Sequence, residues 1–280
     1  MNATQFINLC ALAGVVLVAK AEASVYSDTV LADNPVAYWR LGESSGTTAV
    51  SQTNAPANNG TYSLGFTLGQ PGALPYDPDT AVKFDGGTTV NECCGENAGH
   101  MSASLATLGS TYSYEGWFNY NISPSFRLLV GTVAGRGTGS AFDAVEIWGS
   151  SDASTKGKVF VHNGSSTITG TQVTTSNVWY YMAFTRTGSS VNVYLRGLNG
   201  QSENISGTLS PTFTTTAFQV GQRNDNFWGF PGRIDEVAVY DYALTQSQAD
   251  LHFAAASIPE PASLMLIGLG GMAALVRRRV

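Results

Sequence analysis

Carboxylates that cleave glycosidic bonds work in pairs. On a strand a pair must be separated by an even number of residues, because successive side chains face opposite ways. Asp235 and Glu236 are adjacent, and Asp143 and Glu146 are three apart, so both pairs are expected to straddle their strands. His100, His162 and His252 fall in separate segments without the HExxH spacing of a metal site. No Gly-x-Ser-x-Gly elbow occurs either. The residues therefore carry no motif for hydrolysis, and the expectation is a protein that is not an enzyme.

Binding chemistry is better represented. Sugar rings stack on aromatic faces, and their hydroxyls need fixed polar partners. The stretch "QRNDNFWGFPG" supplies that mixture in a Gly/Pro-bounded loop, with Asn224, Asp225, Asn226, Phe227, Trp228 and Phe230. The competing reading is a hydrophobic plug that closes one end of the fold. Trp148, with Asp143 and Glu146, forms a second aromatic–acid candidate.

The elements that would hold these residues read as strands. "TYSYEGWFNYNI", "VEIWGSS", "GKVFVHNG", "WYYMAFTRTG", "SSVNVYLRG", "AFQVGQR" and "GRIDEVAVYDYAL" recur at a spacing of roughly ten residues, bounded by Gly, Asn, Ser or Thr. Such spacing without a long 3.6-residue period predicts an all-β, two-sheet antiparallel sandwich or jelly roll. Only "LTQSQADLHFAAA" suits a short helix, with Thr245 as its cap. In "RIDEVAVYDY", alternation puts Ile234, Glu236, Ala238 and Tyr240 on one face and Asp235, Val237 and Val239 on the other. Both faces are largely apolar, so that strand is expected to be central. Trp39, Trp117 and Trp179 are expected in the core.

The two ends of the chain differ from its middle. Residues 1–23 read as a signal peptide: an apolar run over 6–19 precedes Ala21-Glu22-Ala23, a small-x-small cleavage pattern. The body, 24–257, carries 10 basic against 18 acidic residues. That balance and the lack of a basic stripe argue against nucleic acid as a partner. In residues 258–280, Pro259, Glu260 and Pro261 precede a short apolar helix closed by Arg277, Arg278 and Arg279. Sixteen residues of helix reach roughly 24 Å, short of a hydrocarbon core of about 30 Å. The arginines would hold that end on the cytoplasmic side. Cys93 and Cys94, in a stretch that reads as an exposed loop, could form a strained vicinal disulfide, link two molecules or stay free.

Pro-Glu-Pro, a short apolar helix and an arginine cluster together resemble the PEP-CTERM sorting signal of Gram-negative bacteria. The resemblance implies export, handling by an exosortase, transient membrane contact through the C-terminal helix, and association with extracellular polysaccharide or biofilm. "AYWRLGESSGTT", "AVKFDGG", "YSYEGWFN", "NVWYYMAFTRTGSSVNVYLRG" and "GFPGRIDEVAVYDYALTQSQADLHF" follow one another as in laminin-G-like, concanavalin A-like jelly rolls. That resemblance implies two face-to-face sheets and a carbohydrate-binding or adhesive role. It also implies Ca²⁺ near the paired terminal strands, since Glu43, Asp85 and Asp235 stand where relatives carry acids, although Ser51 stands where relatives often have Asp. Asp85 could equally cap the turn at Gly86-Gly87, and Asp235 could bond a neighbouring loop. The expected function is a non-catalytic carbohydrate-binding surface or matrix protein. A structural matrix protein without a ligand site and a diverged polysaccharide-active enzyme are the alternatives.

Overall fold

The computed structural model describes residues 24–259, apart from 54, 91–92, 121–129, 139–140, 150–153, 211 and 213–214. Pro259 is the one residue of the sorting signal inside that range; Glu260, Pro261, Arg277, Arg278 and Arg279 lie outside the described residues, as does the signal peptide. Among the described residues no helix is long and apolar enough to cross a membrane.

Helix α1 (Val25–Ala32) opens the described chain. Seven strands follow: β1 (Ala37–Trp39), β2 (Thr48–Ala49), β3 (Gly60–Ser63), β4 (Phe66–Pro71), β5 (Thr80–Asp85), β6 (Thr88–Val90) and β7 (Cys93–Glu96). Next come β8 (His100–Leu108), β9 (Thr111–Tyr120), β10 (Val130–Thr138), β11 (Ala141–Trp148), β12 (Lys158–His162) and β13 (Thr167–Val173). The last are β14 (Tyr180–Thr187), β15 (Ser190–Gly197), β16 (Ser202–Thr208), β17 (Thr215–Val220) and β18 (Pro231–Tyr240), before helix α2 (Gln246–Ala255).

These strands build two antiparallel sheets. The first runs β16-β15-β14-β9-β18-β5-β4, with β1 also on β18; the second runs β13-β12-β11-β10-β17-β8-β3-β2. Inward side chains of both sheets form one core that includes Trp39, Tyr114, Phe118, Phe184, Phe218 and Ile234. Trp39 stacks on Phe218 across the sandwich at 5.7 Å, and burying rings of this size supplies much of the driving force for closing the two layers. The expected two-sheet sandwich is what the chain forms.

A third layer lies outside the first sheet. There α1 and α2 cover Trp117, Tyr181, Ala238 and Tyr240. Trp117 is thus buried under helices rather than between sheets, and Trp179 packs at the margin of the same layer. Helix α2 begins as its sequence predicts, with a full capping box between Thr245 and Gln248. Helix α1 was not legible: eight residues carry little periodicity, and its stability comes from the Ser24 cap and from packing on the sheet.

Two local expectations are corrected. Cys93 and Cys94 lie in β7, hydrogen-bonded to β6 as a two-stranded ribbon, and not in a loop. The β-branched Thr88-Thr89-Val90 run gives β7 a pairing partner. The second correction concerns β18. Its register against β9 jumps from Asp235–Trp117 to Ala238–Glu115, and Glu236 sits at φ 53°. This β-bulge adds one residue and shifts the alternation by one. Ile234 therefore shares the core face with Val237 and Val239, while Ala238 and Tyr240 face the helices. The bulge is also where β18 exchanges neighbours, pairing β5 through Pro231–Ile234 and β1 through Val237–Val239.

Candidate functional site

The two aromatic candidates, 80 residues apart in sequence, meet. Strand β11 turns Val145 and Ile147 into the core, which sends Glu146 and Trp148 to the outer face of the second sheet. Strand β12 does the same with Phe160 and His162, whose register partners on β11 are Glu146 and Ala144. Trp148 stacks on Phe160 with centroids 4.3 Å apart and planes 21° from parallel. The loop after β17 folds over this face. Glu146, Trp148, Phe160, His162, Thr167, Arg223 and Trp228 then line an open cleft of about 90 Å³.

The loop is held by its own hydrogen bonds. Phe230 N–H donates to Gly221 O at 2.7 Å, and Arg223 N–H to Phe227 O at 3.1 Å. Asn224 Nδ2 donates to Gly137 O on β10, and Gln222 Nε2 to Asn226 O at 3.0 Å. Asn226 and Trp228 both take left-handed backbone, at φ 69° and 63°. That conformation is costly for a residue as large as tryptophan, and such strain gathers at functional sites.

Arg223 is the hub. Its guanidinium grips Asp225 through Nε and Nη2 at 2.6–3.0 Å and lies 4.5 Å over the Phe142 ring and 5.2 Å over Trp228. Its Nη1 is 3.3 Å from His162 Nδ1 and 3.8 Å from Glu146 Oε1. His162 Nδ1 in turn is 3.6 Å from Glu146 Oε2. The cleft thus sets two indole rings beside one carboxylate, one imidazole and one guanidinium.

The remaining candidates separate. Phe227 is exposed and Asn226 bonds Asn97 Oδ1 at 3.1 Å, at the outside of the loop. Phe230 takes the plug role, 1% exposed in the core. Asp143 points the other way from Glu146, as expected, into a buried cluster with Tyr112 and Arg186. His162, Phe160 and Arg223 were missed, although alternation along "KVFVH" would have placed the first two beside Glu146 and Trp148.

Glu43, Asp85 and Asp235 each bond a different part of the chain. Glu43 accepts from Val50 N–H and Tyr62 OH. Asp85 accepts from Gly87 N–H at 2.9 Å and Gly99 N–H at 3.0 Å, so it caps the glycine turn. Asp235 accepts from Ala73 N–H at 2.8 Å. Among the described residues no group of three or more His, Cys, Asp or Glu side chains is arranged to hold a metal ion.

The bulge also overturns the expectation that Asp235 and Glu236 face apart. Tyr38 donates to Glu236, whose Oε1 lies 3.1 Å from Arg40; Tyr38 and Ala73 belong to the same outer layer, so both carboxylates lie on that side. Burial raises the pKa of each, and Glu236 adds to the rise at Asp235. At 3% and 1% exposure the pair is enclosed and does not face a substrate.

The architecture is an antiparallel two-sheet sandwich with an aromatic cleft on one outer face. Residues 95–250 match the model of the concanavalin A-like lectin/glucanases superfamily, Laminin_G_3, over more than half of the chain, and the chain belongs to that family. Residues 257–279 match the PEP-CTERM protein-sorting motif, which marks an exported, surface-sorted protein and implies exosortase processing. No curated protein matches the chain. Among solved structures it is similar to the binding domain of botulinum neurotoxin DC in complex with rat synaptotagmin II, at 11% identity and TM-score 0.53. The match covers 80% of this chain and 52% of that one. It is also similar to a GH54 α-L-arabinofuranosidase, at 12% identity and TM-score 0.54, covering 76% and 52%. A Trypanosoma rangeli sialidase in complex with sialic acid matches at 10% identity and TM-score 0.50, covering 76% and 32%. The chain thus spans about half or less of these proteins, and at such identities the likeness shows the fold.

Proposed function

We propose that this protein is a non-catalytic carbohydrate-binding module, displayed on the cell surface or in an extracellular matrix, that grips polysaccharide in the cleft between β11–β12 and the Arg223–Trp228 loop. The observation that carries the reading is the convergence of Trp148 and Trp228 around Glu146, His162 and Arg223. Ring faces take the apolar side of a sugar, while the polar trio supplies fixed donors and acceptors for its hydroxyls. Both indole N–H groups also lack an acceptor among the described residues, and unpaired buried donors are rare enough to call for an explanation. The cleft is small beside the roughly 300–1,000 Å³ of pockets that enclose free ligands. It suits a chain lying along the surface, gripped at one ring. Glu146 is the single carboxylate among its described lining, whereas glycoside hydrolysis uses two.

The PEP-CTERM tail supports a place in a polysaccharide-rich envelope or biofilm, in a Gram-negative host with an exosortase. The rival is a matrix scaffold without a ligand site. A glycan array separates the two: retention of a defined set of glycans is expected, and uniform lack of retention favours the scaffold. Reducing ends released from a retained glycan would indicate a diverged enzyme instead.

A further inference from the structure

A larger cavity, of about 170 Å³, opens on the other sheet. Gln70, Lys83, Asn119, Asn177, Gly232 and Arg233 line it. Three of these sit shoulder to shoulder: Arg233 on β18 is the register partner of Lys83 on β5 and of Asn119 on β9. Their neighbours Val82, Phe84, Phe118 and Ile234 all face the core, so the three side chains emerge together on the outer face.

This is an unfavourable arrangement for the isolated protein. Like charges directly opposite on a sheet repel, and neither Lys83 nor Arg233 has an ion-pair partner among the described residues. Burial lowers the pKa of Arg233, with Asp235 offsetting the effect in part. Yet the guanidinium is held in place, donating to Pro71 O at 3.1 Å and lying 5.0 Å over the Trp179 ring. Asn119 is 2% exposed, and its Nδ2 has no acceptor among the described residues. The face therefore offers ammonium, guanidinium and amide donors together, with no carboxylate among its described lining. A group rich in acceptors and carrying negative charge would relieve the repulsion and satisfy the amide in one step.

We propose that Lys83, Arg233 and Asn119 form a binding site for one oxyanion group, the carboxylate or sulfate of an acidic polysaccharide. The site is distinct from the Trp148–Trp228 cleft, which lies on the opposite sheet, and does not depend on it.

Calorimetric titration of the full chain with polygalacturonate, its methyl ester, dextran sulfate and dextran tests this. At least one acidic polymer is expected to bind about tenfold or more tightly than its neutral counterpart, the order given by hydrogen bonds to charged groups. Which of the two acids it is names the source. K83Q/R233Q should lose that margin, and 0.5 M salt should erode it strongly. If the double variant melts early, K83Q alone, at an exposed residue, should still reduce the margin by about threefold. Equal affinity for acidic and neutral polymers overturns the proposal. So does a stably folded K83Q/R233Q with its margin intact.

Discussion

His252 on α2 lies 2.9–3.0 Å from both carboxylate oxygens of Glu115 on β9, and its other ring nitrogen lies 3.2 Å from Asp33 beyond α1. Tyr181 and Tyr240 donate to the same carboxylate. One imidazole thus ties both helices to the sheet, beside a carboxylate with no solvent exposure. Burial by itself lowers the pKa of His252, but Glu115 and Asp33 together outweigh it and the value is raised.

The pH dependence follows from that sign. A histidine raised in the folded state stabilises fully below its unfolded value of about 6.5, and the contribution is lost as pH rises through the folded value. Glu236 acts in the same direction. Burial, opposed by Arg40, pushes its carboxyl up to about 8, so the folded state holds a proton that the unfolded state has released above about pH 4.5. The melting temperature is expected to fall between pH 5.5 and pH 8.5, and H252Q should flatten that fall. A melting temperature that rises with pH over this window would contradict the account.

The Asp143–Arg186 pair makes a different prediction. Arg186 Nη1 lies 2.6 Å from Asp143, and its Nη2 donates to Leu209 O at 2.8 Å, with both side chains 0–1% exposed. Removing the carboxylate strands a buried guanidinium, so D143A should cost about 3–5 kcal/mol. Replacing both members with apolar residues should cost less than the sum of the single changes. Urea unfolding of D143A, R186M and D143A/R186M measures the coupling; strict additivity would show that the pair is not one unit.

Chelation should have little effect. Glu43, Asp85 and Asp235 each accept an N–H or O–H donor of the chain, so EDTA is expected to leave the melting temperature unchanged within about 1 °C. A drop of several degrees, reversed by Ca²⁺, would place a structural ion elsewhere in the chain, since a ligand bound only to the folded state stabilises it by mass action.

The strands were legible because alternation is written into the residues themselves. "VEIW" and "KVFVH" carry their own inside and outside, and Thr245 with Gln248 carries its own helix start. What was not legible depended on neighbours. The bulge at Glu236 is imposed by partners on β9, β5 and β1, and it reversed the facing of every residue after it. Likewise the sequence offers Trp148 and Trp228 as separate candidates. Only the order β12-β11-β10-β17 brings the loop after β17 over the face of β11. Lys83, Arg233 and Asn119 were invisible for the same reason, being neighbours only through strand register.

The central claim is that two indole rings from distant segments grip one glycan. It is tested most directly by titrating the full chain and its W148A and W228A variants with a polysaccharide retained on the array. Each truncation is expected to weaken binding tenfold or more, as loss of a buried aromatic anchor does, by about 2 kcal/mol, with a melting temperature within about 3 °C of the parent. Unchanged affinity in both variants, with the fold intact, would contradict it.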